Sequence, residues 1–359
     1  MSKRNLIIFA IVLIILAVAS QWVGRTGNKN QDDKIGQPVL DAAMVEAFDE
    51  LILEGSKGII RFKKSNDQWG IQEKNGYPVD MKKLLELIDN LTHNTVASLV
   101  TKDEKRLEYF KVIYRNSESG NDTNSGTQLT LKESGNVIFK MMAGKQREAK
   151  SDRPDMPSYP DGQYIRIGDS KVVYLIKENL LFDSDPKEWI QTTLLSIDKK
   201  EIKSVRFEVQ NDNFLLRRAE KGKELDLEGL QEGAKMNDYE RSSLLSELED
   251  FKIDDILEIS LIPETELELK ARITVDVYDA SPLTFRVYSK LVENPLEPQK
   301  KDEEKEYSYF INFVQSDEKG EDSKWSQVQE LGRNWFFKME EWKAKRWIKT
   351  RQDFIEESK

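Results

Sequence analysis

Ser204-Val205-Arg206-Phe207-Glu208, then Asn211-Asp212-Asn213, then Phe214-Leu215-Leu216-Arg217: two β-rich runs meet at a cluster of turn formers. Short Asn and Asp side chains bond their own backbone and tolerate left-handed conformations, so the stretch reads as a hairpin. Its importance is that it comes second. Leu51-Ile52-Leu53, Gly55-Ser56-Lys57-Gly58 and Ile59-Ile60-Arg61-Phe62 have the same form.

Working outward, the two copies continue alike. Trp69-Gly70-Ile71 predicts a third strand in the first, and Leu225-Asp226-Leu227 stands in its place in the second. Asp80 is a good N-cap, and Leu84, Leu85, Ile88 and Leu91 recur at helical spacing over Met81–Leu91. Leu244, Leu245, Leu248 and Phe251 repeat that spacing residue for residue. The period then falls to two. In the first copy it runs through Val112/Tyr114, Leu129/Leu131, Val137/Phe139, Tyr164–Ile167 and Val172–Ile176. In the second it runs through Ala271–Tyr278, Leu283–Leu291 and Tyr307–Val314, with the charged loop Glu293–Glu306 between. Trp347-Ile348 echoes Trp189-Ile190. The expected class is α+β: two tandem repeats, 46–198 and 199–359, each an antiparallel sheet with a packed amphipathic helix.

Ahead of them, 24–45 reads as a polar linker with a helical stripe over Val39–Phe48, and 1–23 as a membrane anchor. Leu6, Ile7, Ile8, Phe9, Leu13, Ile14, Leu16 and Trp22 belong to a charge-free run, Leu6–Val23, preceded by Lys3 and Arg4. A spanning helix needs about 20 apolar residues. The expectation is one span in the inner membrane, touching lipid, with the body outside the cytoplasm. A cleaved signal ending near Ala17-Val18-Ala19-Ser20 is the alternative.

The charged start, hairpin, Trp69-Gly70-Ile71, Tyr77-Pro78-Val79-Asp80 and leucine helix together resemble a bacterial family known as domain of unknown function 4340. Gly162-Gln163-Tyr164-Ile165-Arg166, Val172-Val173-Tyr174-Leu175 and Trp189-Ile190 extend the likeness through the first repeat. The second repeat matches in pattern more than in residues. The resemblance implies an envelope accessory protein that accompanies ABC-transporter components of the gliding-motility type. It carries over no catalytic residues.

Composition excludes several chemistries. Net charge −10 argues against nucleic acid, because phosphate binding needs a basic patch. There is no cysteine and one histidine, His93, which leaves no thiolate chemistry and no ordinary zinc site. No cofactor and no metal are expected. His93 reads as a helix C-terminal residue. Asp152, Asp155, Asp161, Asp183 and Asp185 lack calcium-loop spacing, and Gly144-Lys145 and Gly222-Lys223 lack the rest of a phosphate loop.

The suggestive feature is aromatic. Trp325, Trp335, Trp342 and Trp347 crowd the last stretch with basic neighbours, Arg346 among them. Trp335-Phe336-Phe337 reads as a final strand with Trp342 and Trp347 packed beneath. The alternative is a partner surface of Trp342, Arg346 and Trp347. The function expected is a non-enzymatic binding protein working with an ABC-type system. Its rivals are a hydrolase of an envelope polymer, and a small-ligand capture domain with its site between the repeats.

Overall fold

The computed structural model describes residues 34–114, 126–148, 159–180, 182–210, 212–292, 306–314 and 324–356. The chain forms two compact units, the first ending at Gln191 and the second beginning at Thr192.

In the first unit, α1 (Ala42–Val45) precedes the hairpin of β1 (Glu50–Gly55) and β2 (Gly58–Ser65), paired Leu51↔Phe62 and Leu53↔Ile60. Asn66 and Asp67 both take positive φ, the geometry that turns β2 tightly into β3 (Gln68–Ile71). After β4 (Tyr77–Pro78) comes α2 (Met81–His93), whose first N–H groups are satisfied by the Asp80 carboxylate at Lys82 and Lys83. Then follow β5 (Val96–Thr101), β6 (Thr127–Glu133), β7 (Asn136–Glu148), β8 (Pro160–Ile167) and β9 (Val173–Ile176). They form one antiparallel sheet in the order β4-β3-β2-β1-β6-β7-β8-β9-β5.

The second unit starts with β10 (Thr193–Leu195), then β11 (Ile202–Val209), β12 (Asp212–Arg218) and β13 (Leu225–Leu227). The helix α3 (Asp238–Glu249) is capped by Asn237. It leads to β14 (Phe251–Lys252), β15 (Asp255–Glu258), β16 (Glu268–Val277), β17 (Leu283–Leu291), β18 (Tyr307–Phe313) and β19 (Trp335–Met339). Its main sheet runs β13-β12-β11-β16-β17-β18-β19-β15, and β10 pairs with β14 separately. The order is that of the first sheet without its edge strand β4. In both units a strand that follows the helix, β5 directly and β15 after the short β14, crosses to the far edge and pairs with the last strand, β5 with β9 and β15 with β19.

Several expectations are corrected. The architecture is predominantly β and not α+β, with sheets of nine and eight strands against two helices longer than two turns among the described residues. The Val39–Phe48 helix shrinks to α1, because Val39 and Leu40 lie buried in chain that hydrogen-bonds to Asn94 and Leu91. Val112 and Tyr114 belong to no strand, and Lys145–Glu148, the start of what reads in the sequence as a proline-containing loop over Lys145–Gly162, extends β7.

The predicted transmembrane helix, with Leu6, Ile7, Ile8, Phe9, Leu13, Ile14, Leu16 and Trp22, lies outside the described residues. Among the described residues no helix is long and apolar enough to cross a membrane. The longest, α2, has 13 residues, about 20 Å at 1.5 Å per residue against a hydrocarbon layer of about 30 Å. The single-span architecture therefore does not stand as part of this fold.

The helix alignment is also corrected. Counting from the N-caps Asp80 and Asn237, the buried Leu87, Ile88 and Leu91 match Leu244, Leu245 and Leu248. Leu85, expected on the inner face, is 37% exposed. The spacings that match by eye differ by about one helical turn, which a 3.6-residue period cannot distinguish.

Candidate functional site

The common topology gives each residue of one sheet a counterpart in the other. The rows Gln128↔Met142↔Arg166 and Thr130↔Lys140 of the first unit correspond to Arg272↔Arg286↔Asn312 and Thr274↔Thr284 of the second. These residues lie on the sheet face opposite Leu129 and Leu131, or Ile273 and Val275, because side chains alternate along a strand.

In the first unit that face is sealed. The segment after β5 lies across it as a strap, and Leu107, Phe110 and Val112 pack with Met142 and Val173. The Lys145 N–H donates to the Phe110 carbonyl (3.0 Å), and the Phe110 ring sits 4.5 Å from that of Tyr164. Gly144 permits this approach. A Cβ there would collide with the Phe110 carbonyl oxygen and lie 2.7 Å from Val112 Cγ1. Arg166 is enclosed, donating from Nε to the Ser170 carbonyl (2.5 Å) beneath Tyr114. Burial pushes the Tyr114 phenol well above its ordinary value, and its hydroxyl donates to the Gly168 carbonyl (2.8 Å).

In the second unit Tyr288 occupies the place of Gly144, and the strap is short. Ile259, Ile262 and Leu267 close over Phe310, Phe336, Leu257 and Tyr288. Among the described residues the rest of the face is left half-buried, at Arg272, Thr274, Thr284 and Arg286. Beside this cluster lies a groove of about 780 Å³, floored by Leu257, Ile262 and Phe310 and bordered by Ser308, Lys338 and Asp255. Lys290 spans its rim, with Nζ 2.6 Å from Glu266 Oε2. Leu261, Leu291 and Val292 expose their side chains nearby. The groove has the size of a ligand site, with an apolar floor and a polar, largely charged edge of Asp255, Glu266, Lys290, Ser308 and Lys338.

The residues anticipated from sequence fall elsewhere. Trp347 is fully buried, its ring 5.0 Å from Phe285 and 5.5 Å from Phe251. Trp342 is 57% exposed, with the Arg346 guanidinium 4.9 Å and the Lys343 ammonium 5.6 Å from its ring centre. Arg346 Nη1 reaches Glu247 Oε2 (2.6 Å) and Lys343 Nζ reaches Asp254 Oδ1 (2.5 Å). The aromatic cluster thus separates into a buried member and an exposed one flanked by cations. Trp335-Phe336-Phe337 forms β19.

His93 ends α2 and contacts Asp89 on its own helix, 3.0 Å from Nδ1. Asp161 is held below the usual carboxylate range by its hydrogen bond from Arg147. Burial alone would raise Asp183, but hydrogen bonds from Lys57 and the N–H groups of Asp185 and Ser184 outweigh it and lower it. Asp185 caps the turn Pro186–Trp189. Asp152 and Asp155 lie outside the described residues. Among the described residues no group of three or more His, Asp or Glu is placed to hold a metal ion. The groove residues escaped notice because Lys290, Ser308 and Lys338 alternate with apolar positions, which reads as an ordinary solvated face.

The fold and groove define a class: a predominantly β chain of two like-ordered sheets, one face open in the second. Residues 69–271, more than half of the 359-residue chain, match the family model described as Domain of unknown function (DUF4340), and the chain belongs to that family. No curated protein and no solved structure matches it.

Proposed function

We propose that the chain is a binding protein of the bacterial envelope, working outside the cytoplasm with components of an ABC-type export system. The observation that carries a binding role is the contrast between the two sheet faces. The same topology seals one with its own strap and leaves the other open with an apolar-floored groove. Burying apolar surface is the main force in association, so a face with an apolar-floored groove is where a partner gains most. The exposed, cation-flanked Trp342 adds a second contact of the type enriched at interfaces. The link to an export system rests on the family resemblance.

The test is purification of the tagged full chain, after mild cross-linking, from the cells that make it. Recovery of the ATP-binding and permease subunits of one transporter, above an untagged control, supports the proposal. Their absence from a cross-linked, well-recovered sample overturns it. Capture of a small ligand is the second reading, favoured by the groove volume of about 780 Å³. Mass spectrometry of small molecules released from the natively purified chain separates the two.

A further inference from the structure

We propose that Arg272 and Arg286 form a binding site for an oxyanion, the carboxylate or phosphate group of a ligand. The two arginines stand directly opposite each other on β16 and β17, in the middle of the open face. Like charges so placed repel, and a sheet ordinarily avoids the pairing. Glu208 flanks the row on β11 and lies 3.8 Å from Arg272 Nη1, which balances one charge at most. Asn312 flanks it on β18, but its amide donates to the Gly332 carbonyl (2.7 Å) and offers no negative charge. In the next row Thr274 and Thr284 bond each other at 3.0 Å. On the other side stand Tyr288 and, on the strap, apolar side chains.

Among the described residues the Arg286 side chain makes no hydrogen bond and no ion pair, and the Nε atoms of both arginines are buried without a partner. Buried donors are normally satisfied. Yet the face is open, since the Arg272 side chain is 41% exposed. The first unit shows what a purely structural solution looks like. Gln128 and Met142 fill these positions, and the nearby Arg166 finds carbonyl acceptors at Ser170, in the turn between β8 and β9, and at Val112 on the strap. In the second unit two planar forks of donors stand in these positions, and the short strap, packed on the neighbouring Phe310 and Phe336, carries apolar side chains. A guanidinium matches carboxylate and phosphate oxygens in a bidentate manner, so the missing acceptor is an oxyanion from outside. This inference stands whether or not an export system is the partner.

The full chain is titrated at low salt with inorganic phosphate, with acetate, and with vesicles of phosphatidylcholine with and without phosphatidylglycerol. Saturable binding of at least one anionic probe is expected, weakened about tenfold or more in Arg286→Met and in Arg272→Gln. Both variants carry the residue of the first unit, so each should melt at or above the parent's temperature. Arg286→Lys keeps the charge but loses the fork, and should bind with intermediate strength. Binding of free phosphate or acetate identifies a soluble ligand; binding only to anionic vesicles identifies a lipid headgroup, and either supports the site. A parent that binds none of the probes, or variants that bind as it does, overturn it.

Discussion

Truncating Leu91 and Leu248 to alanine should cost both units alike, while truncating Leu85 should cost little. Leu91 and Leu248 follow their caps, Asp80 and Asn237, at the same interval, and both are 0% exposed. Removing a fully enclosed leucine side chain loses its transfer energy and leaves a cavity, together about 3 kcal/mol. Leu85 lies at the edge of the inner stripe and is more than a third exposed, so its loss is on the order of 0.5 kcal/mol. With a urea dependence of about 2 kcal/mol/M, these become midpoint shifts of about 1.5 M and about 0.25 M. Hydrogen exchange read peptide by peptide across a urea series lets each unit report on itself. The aligned helices are misassigned if Leu248→Ala moves the second unit's midpoint by less than about 0.5 M. A Leu85→Ala shift equal to that of Leu91→Ala would refute the burial argument itself.

Asp80→Ala removes the acceptor for the Lys82 and Lys83 N–H groups and should destabilise the first unit by about 1 kcal/mol, measured in the same urea series. Gly144→Tyr, copying the second unit, should lift the strap: protection of the Lys145 amide falls while β1 and β2 stay protected, and unchanged exchange at Lys145 would count against the sealing role of Gly144. Asp183 is depressed in the fold, so its contribution is present above the unfolded carboxylate range near pH 4 and lost as pH falls through the lower folded value. Asp183→Asn should flatten the acid limb of the first unit's stability profile slightly, since the Lys57 partner is largely exposed. Burial raises the Tyr77 phenol, whose hydroxyl donates to the Gln191 carbonyl (2.9 Å), so stability is full below about pH 10 and is lost as pH rises toward the raised value. Tyr77→Phe should be less sensitive to alkali than the parent.

The hairpins, the Asp80 cap and the long meander were legible because each is written in neighbouring residues. β5 and β15 were not. Val96-Ala97-Ser98-Leu99-Val100-Thr101 follows a helix without alternation, and its strand state depends on pairing with β9 far along the chain. The open face was still harder to see. The first strap can lie down because Gly144, distant from it in sequence, leaves room for the Phe110 carbonyl and Val112, whereas Tyr288 packs against the short second strap. Arg272 and Arg286 each look like a routine solvated position on an alternating strand, and only the register sets them side by side. Trp342 and Trp347 carry the same local signal, and the chain turn at Glu341–Ala344 sends one outward and one inward.

The far-edge crossing has a kinetic consequence. On a ribosome Val96 emerges long before Ile176, and Asp255 long before Lys338, yet these are the pairs that finish each sheet. Until then the helix-proximal strand has no ladder to join, and its backbone groups remain available to other chains. Each unit should therefore gain stability late and abruptly, when its final strand arrives, and fold slowly for its size because the closing contacts are so distant. Chains interrupted just before β9 or β19 would carry a nearly complete sheet with an unpaired strand, the form most exposed to aggregation.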